Sequence, residues 1–186
     1  MNYQQLIKAL FILCVMCLSF TSCSKDDSNL NADTTSITVK LKSTLGELDK
    51  VFLDVVDVQI KVSASEQELG EWLSLNAINL GVCDTSTISQ ETQLLLVDNF
   101  DLNTDYVHEI RLVLGENNFM NIGNVLHALD VNNATPSNLI KTKLSSNGSY
   151  DVVIDIDIDE SVSYDNEENM MVLTPKIYTA IRQFEY

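Results

Sequence analysis

Hydrophobic and polar residues alternate along most of this chain in short runs, and this spacing predicts β-strands. The clearest case is residues 150–158, where Val152, Ile154 and Ile156 fall on one side of a strand and aspartates fall on the other. No segment sustains the period of about 3.6 residues that marks an amphipathic helix. Clusters of Gly, Asn, Asp and Ser separate the runs, as expected for turns in an all-β domain.

Ten segments have the length and composition of strands. The two longest exceed the usual length of about five or six residues, so each is expected to contain a bulge or a bend. Residues 87–97 leave a helix open as an alternative, because Ser, Gln, Glu and Thr precede three leucines there. The predicted strands are residues 37–42, 51–62, 71–75, 93–97, 106–114, 118–122, 125–129, 139–144, 150–158 and 171–182.

Ten short strands cannot bury their apolar faces in one open sheet. Two sheets packed face to face, or a closed barrel, would bury them. We expect the first arrangement, a two-sheet antiparallel β-sandwich of immunoglobulin-like or transthyretin-like type, over residues 37–186. This length suits one domain with a sizeable core and is too short for two.

The N-terminal 22 residues have the pattern of a signal peptide. They contain one basic residue, Lys8, followed by an apolar stretch and two small residues before Cys23. The apolar stretch is shorter than the roughly 20 residues of a membrane-spanning helix, so cleavage is predicted. A cysteine at the cleavage point resembles the lipobox of bacterial lipoproteins, although Phe20 stands where leucine is usual. The resemblance implies that Cys23 is lipidated and anchors the chain in a membrane.

The composition narrows the choice of partners. The chain has 27 acidic and 11 basic residues and a net charge of −16 at pH 7. Such a charge repels nucleic acid and anionic headgroups, and we expect no nucleic-acid partner. Of the four cysteines, only Cys83 lies beyond the leader and the lipidation site. No intramolecular disulfide is therefore expected, and Cys83 is predicted to be a small buried residue.

Acidic residues near the end of the strand predicted at 150–158 raise the question of calcium, because hard cations take several oxygen ligands. The candidates are Asp155, Asp157 and Asp159. Residues two apart on a strand are about 6.6 Å apart, too far for joint coordination without another strand or loop. We therefore expect a solvated acidic face partly paired with Arg111 or a lysine. A calcium site is the alternative, and no other cofactor is predicted.

Arg111 and Trp72 are the other two candidate site residues. Arg111 lies in a predicted strand and is expected to form a bidentate ion pair with Asp155 or Asp157, with ligand recognition as the alternative. Trp72, the only tryptophan, is expected in the core or at a partly buried rim. An exposed edge position would instead let its ring stack on a sugar.

No motif in the sequence indicates catalysis. His108 and His127 stand outside any recognisable nucleophile motif, so a Ser-His-Asp arrangement is unsupported. Glycine-rich phosphate loops, paired cysteines and the HExxH motif are absent from the sequence. We expect a protein that is not an enzyme, and a hydrolase is the least favoured alternative.

Six segments resemble, in order, those typical of domain-of-unknown-function family 4382, and the similarity runs from residue 37 to residue 182. They are VFLDVVDVQI, EWLSL, YVHEIRLVLGENN, TPSNLIKTKL, YDVVIDIDIDESV and LTPKI. The resemblance implies a β-sandwich of undetermined activity in a lipoprotein of Bacteroidetes-type bacteria. The segment DNEENMM departs from the tight turn that the family usually has. The family's recurrent positions correspond to Asp54, Trp72, Tyr106, Arg111, Asp155, Asp157, Ser161 and Pro175.

Residues 23–36 are polar, and this composition predicts a flexible tether. The tether begins with Cys23 and continues with Ser24, Lys25, Asp26 and Asp27. The acidic start resembles the export signal that carries lipoproteins of such bacteria to the outer face of the outer membrane. The periplasmic face is the alternative. Thr34 lies in an Asp-Thr-Thr sequence that resembles an O-glycosylation pattern, and its modification stays open.

These features predict a lipid-anchored binding or adhesion module for a glycan or a protein. The alternative is a structural or accessory subunit of a cell-envelope assembly, which would add a partner strand to a sheet edge. The oligomeric state is not predicted. Recognition is expected in loops at the ends of the sandwich, at residues 63–70, 84–91, 117–124, 131–138 and 163–169.

Overall fold

The computed structural model describes residues 34–44 and 50–184, in which strands follow one another almost without helix. A 3-10 helix at Thr85–Thr87 and a single turn of α-helix, α1 at Ile158–Ser161, interrupt them. Within the described residues no helix is long and apolar enough to cross a membrane. The strands are β1 (Thr35–Thr44), β2 (Val51–Ser63), β3 (Glu71–Ser74), β4 (Gly81–Asp84), β5 (Leu94–Leu102), β6 (Tyr106–Leu114), β7 (Phe119–Ile122), β8 (Val125–Val131), β9 (Ser137–Lys143), β10 (Ser149–Asp157), β11 (Val162–Asp165), β12 (Met170–Leu173) and β13 (Lys176–Phe184).

The strands form two sheets packed as a sandwich, which confirms the predicted architecture. The smaller sheet has the order β13-β10-β1-β5, and the larger has the order β11-β12-β8-β7-β2-β6-β9, with β3 and β4 also paired to β2. Both sheets are mixed, since β1 runs parallel to β10 and β12 runs parallel to β8. The expectation of purely antiparallel sheets was therefore wrong. Strands far apart in sequence have no hairpin to fix their relative direction.

The core lies between the sheets and follows the predicted alternation. In β10, Val152, Ile154 and Ile156 are fully buried, while the residues between them are partly exposed. In β2, Val58 and Ile60 are buried in the same way from the other sheet. Burial of each such side chain stabilises the fold by about 1.5–3 kcal/mol, so the period of two decides which face of each strand is available for function.

Several strand predictions need correction. The segment 171–182 is two strands in different sheets, because Pro175 has no N–H to continue a ladder. Ser161 fixes this crossing: its carbonyl accepts from the Thr174 N–H at 2.8 Å and its Oγ from the Lys176 N–H at 2.8 Å. Strands β4 and β11 were not predicted. The bulge expected in the long strand 51–62 is confirmed, with register shifts at two places in β2.

The start of β1 and the segment before β5 also bear on the predictions. Thr35 and Ser36 belong to β1, so the polar tether ends earlier than residue 36. The helix left open for the segment 87–97 does not form: the 3-10 helix ends at Thr87, and β5 begins at Leu94. The segments predicted as a signal peptide (residues 1–22), a lipidation site (Cys23) and an export signal (residues 24–27) lie outside the described residues.

Asp54 is a buried carboxylate that holds the turn between β6 and β7. Its Oδ2 accepts hydrogen bonds from the backbone N–H of Asn117 at 3.2 Å and from the Asn117 side chain at 3.0 Å. Its backbone accepts from the Gly115 N–H at 2.7 Å and donates to Asn118 Oδ1 at 2.9 Å. A Cβ on Gly115 would lie 2.2 Å from Asp54 Oδ2. Glycine at position 115 therefore makes room for the carboxylate.

We expect Asp54→Ala to lower the free energy of unfolding by about 1–3 kcal/mol, because it removes the acceptor of the turn. Gly115→Ala should also destabilise the protein, but by less in the Asp54→Ala background, where the clashing oxygen is gone. Urea unfolding of the four chains measures this coupling. Equal costs of Gly115→Ala in both backgrounds would show that the carboxylate does not set the requirement for glycine.

Candidate binding site on the outer face of the larger sheet

Polar side chains line one stretch of the solvent side of the larger sheet. Because Val58 and Ile60 point into the core, Asp57, Gln59 and Lys61 of β2 point outward. Strands β3 and β6 flank β2 and bring further outward residues beside these. The pairs are Gln59 with Ser74 and Arg111, and Lys61 with Trp72 and Glu109. We call this set, together with Ser137 of β9 opposite Arg111, the outer polar face.

A chain of hydrogen bonds fixes Arg111 within the outer polar face. Gln59 Oε1 accepts from Arg111 Nε at 2.8 Å and also from Nη2. The Gln59 Nε2 donates in turn to Asp57 Oδ2 at 2.8 Å. Asp57 Oδ1 accepts from the Val58 N–H at 2.8 Å and from Ser74 Oγ at 2.9 Å. The carboxylate thus fixes the amide of Gln59, and the amide orients the guanidinium. Each donor to Asp57 is a neutral group.

Trp72 completes the arrangement. The guanidinium carbon of Arg111 lies 4.0 Å from the centroid of the Trp72 ring, and Lys61 Nζ lies 6.0 Å from it. Both distances are within the range of cation–π attraction. Trp72 is half-buried on β3, which confirms the expected rim position. Since Arg111 covers a ring face, Trp72 holds the guanidinium in place.

The predicted ion pair of Arg111 with Asp155 or Asp157 was wrong. Arg111 points outward from the larger sheet, whereas both aspartates belong to β10 of the smaller sheet. The two outer faces lie on opposite sides of the sandwich, so these side chains cannot meet. Across residues 34–44 and 50–184, neither Arg111 nor Lys61 forms a salt bridge.

The aspartates of β10 have partners of their own. Parallel pairing with β1 places Lys42 opposite Asp155, and Lys42 Nζ lies 2.6 Å from Asp155 Oδ2. The expected pairing with a neighbouring lysine is thus present. Asp157 caps α1, its Oδ1 accepting from the Glu160 N–H at 3.0 Å, and Asp159 is exposed within that turn. In the part of the chain that the structure describes, no group of three or more His, Cys, Asp or Glu side chains could hold a metal ion.

A concavity lies on the outer face of the smaller sheet. It has a volume of about 300 Å³ and is lined in part by Gln90, Gln93, Asp151 and Arg182. Asp151 Oδ2 pairs with Lys40 Nζ at 2.8 Å, so its charge is neutralised. Its Oδ1 is covered and has no hydrogen-bond partner among the described residues, and a ligand cannot reach a covered atom. The outer polar face is therefore the better candidate.

Two further groups could suggest chemistry. Ser63 Oγ lies 2.7 Å from His108 Nε2, a pair that the sequence separation of 45 residues hides. Ser63 Oγ also donates to the Ser65 carbonyl at 2.5 Å. A hydroxyl has a single proton, so His108 is the donor in this pair and does not activate the serine. Cys83 is partly buried against the core, and burial raises the pKa of its thiol.

Sequence reasoning found Arg111 and Trp72 but missed Asp57 and Gln59. The available signal was their outward position in a predicted strand, on the same face as Lys61. That signal could not show which neighbouring strand they would meet. Thr34 precedes β1, and its glycosylation stays a prediction.

The comparisons with known proteins identify a family whose function is not known. Residues 34–175 match the sequence model of a family described as "Domain of unknown function (DUF4382)". No curated protein matches the chain, and no solved structure matches it. The match covers most of the sandwich, including β2, β3 and β6, and ends at Pro175.

We expect calcium to leave the stability of the full chain unchanged. The carboxylate of Asp155 is engaged by Lys42, and Asp157 caps a helix, so neither is arranged to join Asp159 around an ion. Thermal unfolding with millimolar calcium and with a chelator measures this. A rise in melting temperature that Asp157→Asn abolishes would contradict the expectation, and Asp98→Asn, an exposed aspartate on β5, is a matched control.

Proposed function

The chain belongs to the family described as a domain of unknown function (DUF4382), and we propose that this member is a non-catalytic binding module for a glycan. In the proposal, lipid on Cys23 holds the module on the outer membrane, and the outer polar face meets the ligand. The protein then contacts the membrane only through its lipid anchor, and the glycan is the ligand that the module recognises.

The observation that carries the proposal is the composition of the outer polar face. Trp72, Arg111 and Lys61 lie together on a half-exposed sheet surface, and hydrogen-bonding groups of Asp57, Gln59 and Ser74 are ordered beside them. Aromatic and arginine side chains dominate the binding energy of many recognition surfaces. Small-molecule sites combine aromatic surface with a few precisely placed polar groups, and the outer polar face offers both to a sugar.

Among residues 34–44 and 50–184, the side chains that could suggest catalysis are engaged in other interactions, and this supports a binding role. The serine paired with His108 is itself a hydrogen-bond donor to a carbonyl, which is unsuited to nucleophilic attack. The carboxylates of β10 are paired or cap a helix. A general acid and base would need carboxylates poised at a common cleft.

The second candidate function is an accessory subunit of a cell-envelope assembly. Exposed apolar side chains favour it, among them Val82 of β4, which is 53% exposed, and Val125 and Leu126 of β8, which are 57% and 59% exposed. Such residues can mark a protein contact. Concentration-dependent oligomers or co-purifying subunits would distinguish this function from that of a monomeric binder.

We expect protease added to intact cells to digest the protein while a periplasmic control protein survives. The reason is the resemblance of Ser24 to Asp27 to an export signal. Replacement of Asp26 and Asp27 by alanine should protect the chain from digestion without changing its abundance. Survival of the unaltered chain would restrict it to the periplasm and favour the envelope-assembly function.

We expect Trp72→Ala to weaken glycan binding by about tenfold or more, which corresponds to about 1.4 kcal/mol. The variant removes the ring and releases Arg111 from its fixed position. A glycan array followed by calorimetry on the full chain in detergent measures this. Tyr178→Ala, at an exposed aromatic position of the smaller sheet, is the matched control. If no glycan binds to the unaltered chain, the proposed glycan function is wrong.

A further inference from the structure

Arg111 is an arginine whose charge is not neutralised by its protein partner. Half-buried guanidinium groups in proteins commonly pair with a carboxylate, which neutralises them and satisfies two donors at once. Here the acceptor is the neutral amide oxygen of Gln59. The carboxylate of Asp57 comes next in this chain of hydrogen bonds, beyond Gln59. It accepts only from neutral donors.

The geometry leaves a recognition edge on the guanidinium. Gln59 takes Nε and one hydrogen of Nη2. A guanidinium has five N–H donors in a plane, so three remain, two on Nη1 and one on Nη2. Among the described residues nothing accepts from them. One N–H on each terminal nitrogen forms the fork that matches the two oxygens of a carboxylate.

Trp72 and Gln59 keep this fork in one orientation. The indole ring packs 4.0 Å from the guanidinium carbon and restricts its tilt, while the amide restricts its rotation. A group fixed before binding loses less conformational entropy when a ligand arrives. Lys61 adds a second positive charge near the same ring, and Glu109 opposite Lys61 accepts a hydrogen bond from Ser137 Oγ at 2.8 Å.

We infer that Trp72 and Arg111 form a subsite for the carboxylate of an acidic glycan; this inference rests on the proposed function. The outer polar face of this protein of net charge −16 carries two cations, Lys61 and Arg111, and two carboxylates, Asp57 and Glu109. Both carboxylates accept hydrogen bonds from within the face, so the free edge of the Arg111 guanidinium is the part of the face that attracts a single anionic group. The same net charge repels polymers with a dense negative charge. The ligand class is therefore an oligosaccharide with an isolated uronic or sialic acid. Ser137 Oγ, whose proton goes to Glu109, remains an acceptor for its hydroxyl groups. Ser74 Oγ donates to Asp57 and accepts from the Asn76 N–H at 3.3 Å, which leaves it one lone pair for the same purpose.

Matched pairs of glycans test the inference. Each acidic oligosaccharide, for example sialyllactose or cellobiouronic acid, is compared with a counterpart that lacks only the charge, the methyl ester of sialyllactose or cellobiose. Calorimetry on the full chain in detergent gives the ratio of the two dissociation constants. We expect the acidic member of a bound pair to bind about ten- to a hundredfold more tightly, as for hydrogen bonds to a charged group. Added salt should reduce this preference.

Two substitutions address the fork by different routes. Arg111→Gln removes the guanidinium and should abolish the preference for the acidic member while neutral binding persists. Gln59→Glu, made together with Asp57→Asn so that a donor still meets an acceptor between these two side chains, keeps an acceptor beside Arg111 but neutralises it. This double variant should reduce the preference at least tenfold. Arg111→Lys keeps the charge without the fork and should retain only a small part of the preference. Arg182→Gln, at the only other arginine and on the other sheet, is the control and should change nothing.

The outcomes separate the inference from the proposed function. Equal binding of acidic and neutral members would overturn the carboxylate subsite and leave the glycan function standing. No binding of any glycan would overturn both. Tighter binding of polyglutamate than of any acidic glycan would reassign the subsite to acidic protein segments. Melting curves of each variant show whether a lost preference reflects unfolding. Arg111→Lys and the double variant with Gln59→Glu and Asp57→Asn provide independent tests if Arg111→Gln does not fold.

Discussion

Two sheets must share one hydrophobic core, and every other feature of this domain depends on that constraint. Residues such as Ile60 of β2 and Ile154 of β10 are fully buried between the layers. Because strand side chains alternate, each buried residue places its neighbours on an outer face. The core therefore fixes two separate solvent surfaces, one for each sheet, and side chains on one surface cannot reach those on the other.

The two outer surfaces differ in the partners of their positively charged side chains. On the smaller sheet, the parallel pairing of β1 with β10 brings Lys40 to Asp151 and Lys42 to Asp155, so positive and negative charges cancel. On the larger sheet, Arg111 meets a neutral amide and an aromatic ring. A neutralised surface contributes to solubility and a little to stability. A cation held by neutral groups keeps its attraction for an anion from outside, which is why the larger sheet is the more informative surface.

Several residues that resemble the family's recurrent positions have a structural explanation. Asp54 fixes a turn that excludes any side chain at Gly115, and Ser161 holds the crossing at Pro175 from the larger to the smaller sheet. Asp157 caps the helical turn that precedes this crossing. These interactions stabilise connections between strands. Trp72 and Arg111 differ from them because their contacts order a surface and hold no connection in place, and the proposed binding site rests on this contrast.

The all-β class, the sandwich and the buried face of strands such as β10 could be predicted from the sequence, and so could the choice of Arg111 and Trp72 as candidate site residues. These follow from local side-chain alternation and from residue types, which are present in any short window of the chain. Three features became apparent only in the folded chain. Strand β1 runs parallel to β10, residues 171–182 divide between the sheets, and Arg111 binds Gln59 instead of an aspartate. Those outcomes depend on which distant strands become neighbours, because hydrogen-bonded pairing between segments far apart in sequence is chosen by packing of the whole core and leaves no local pattern.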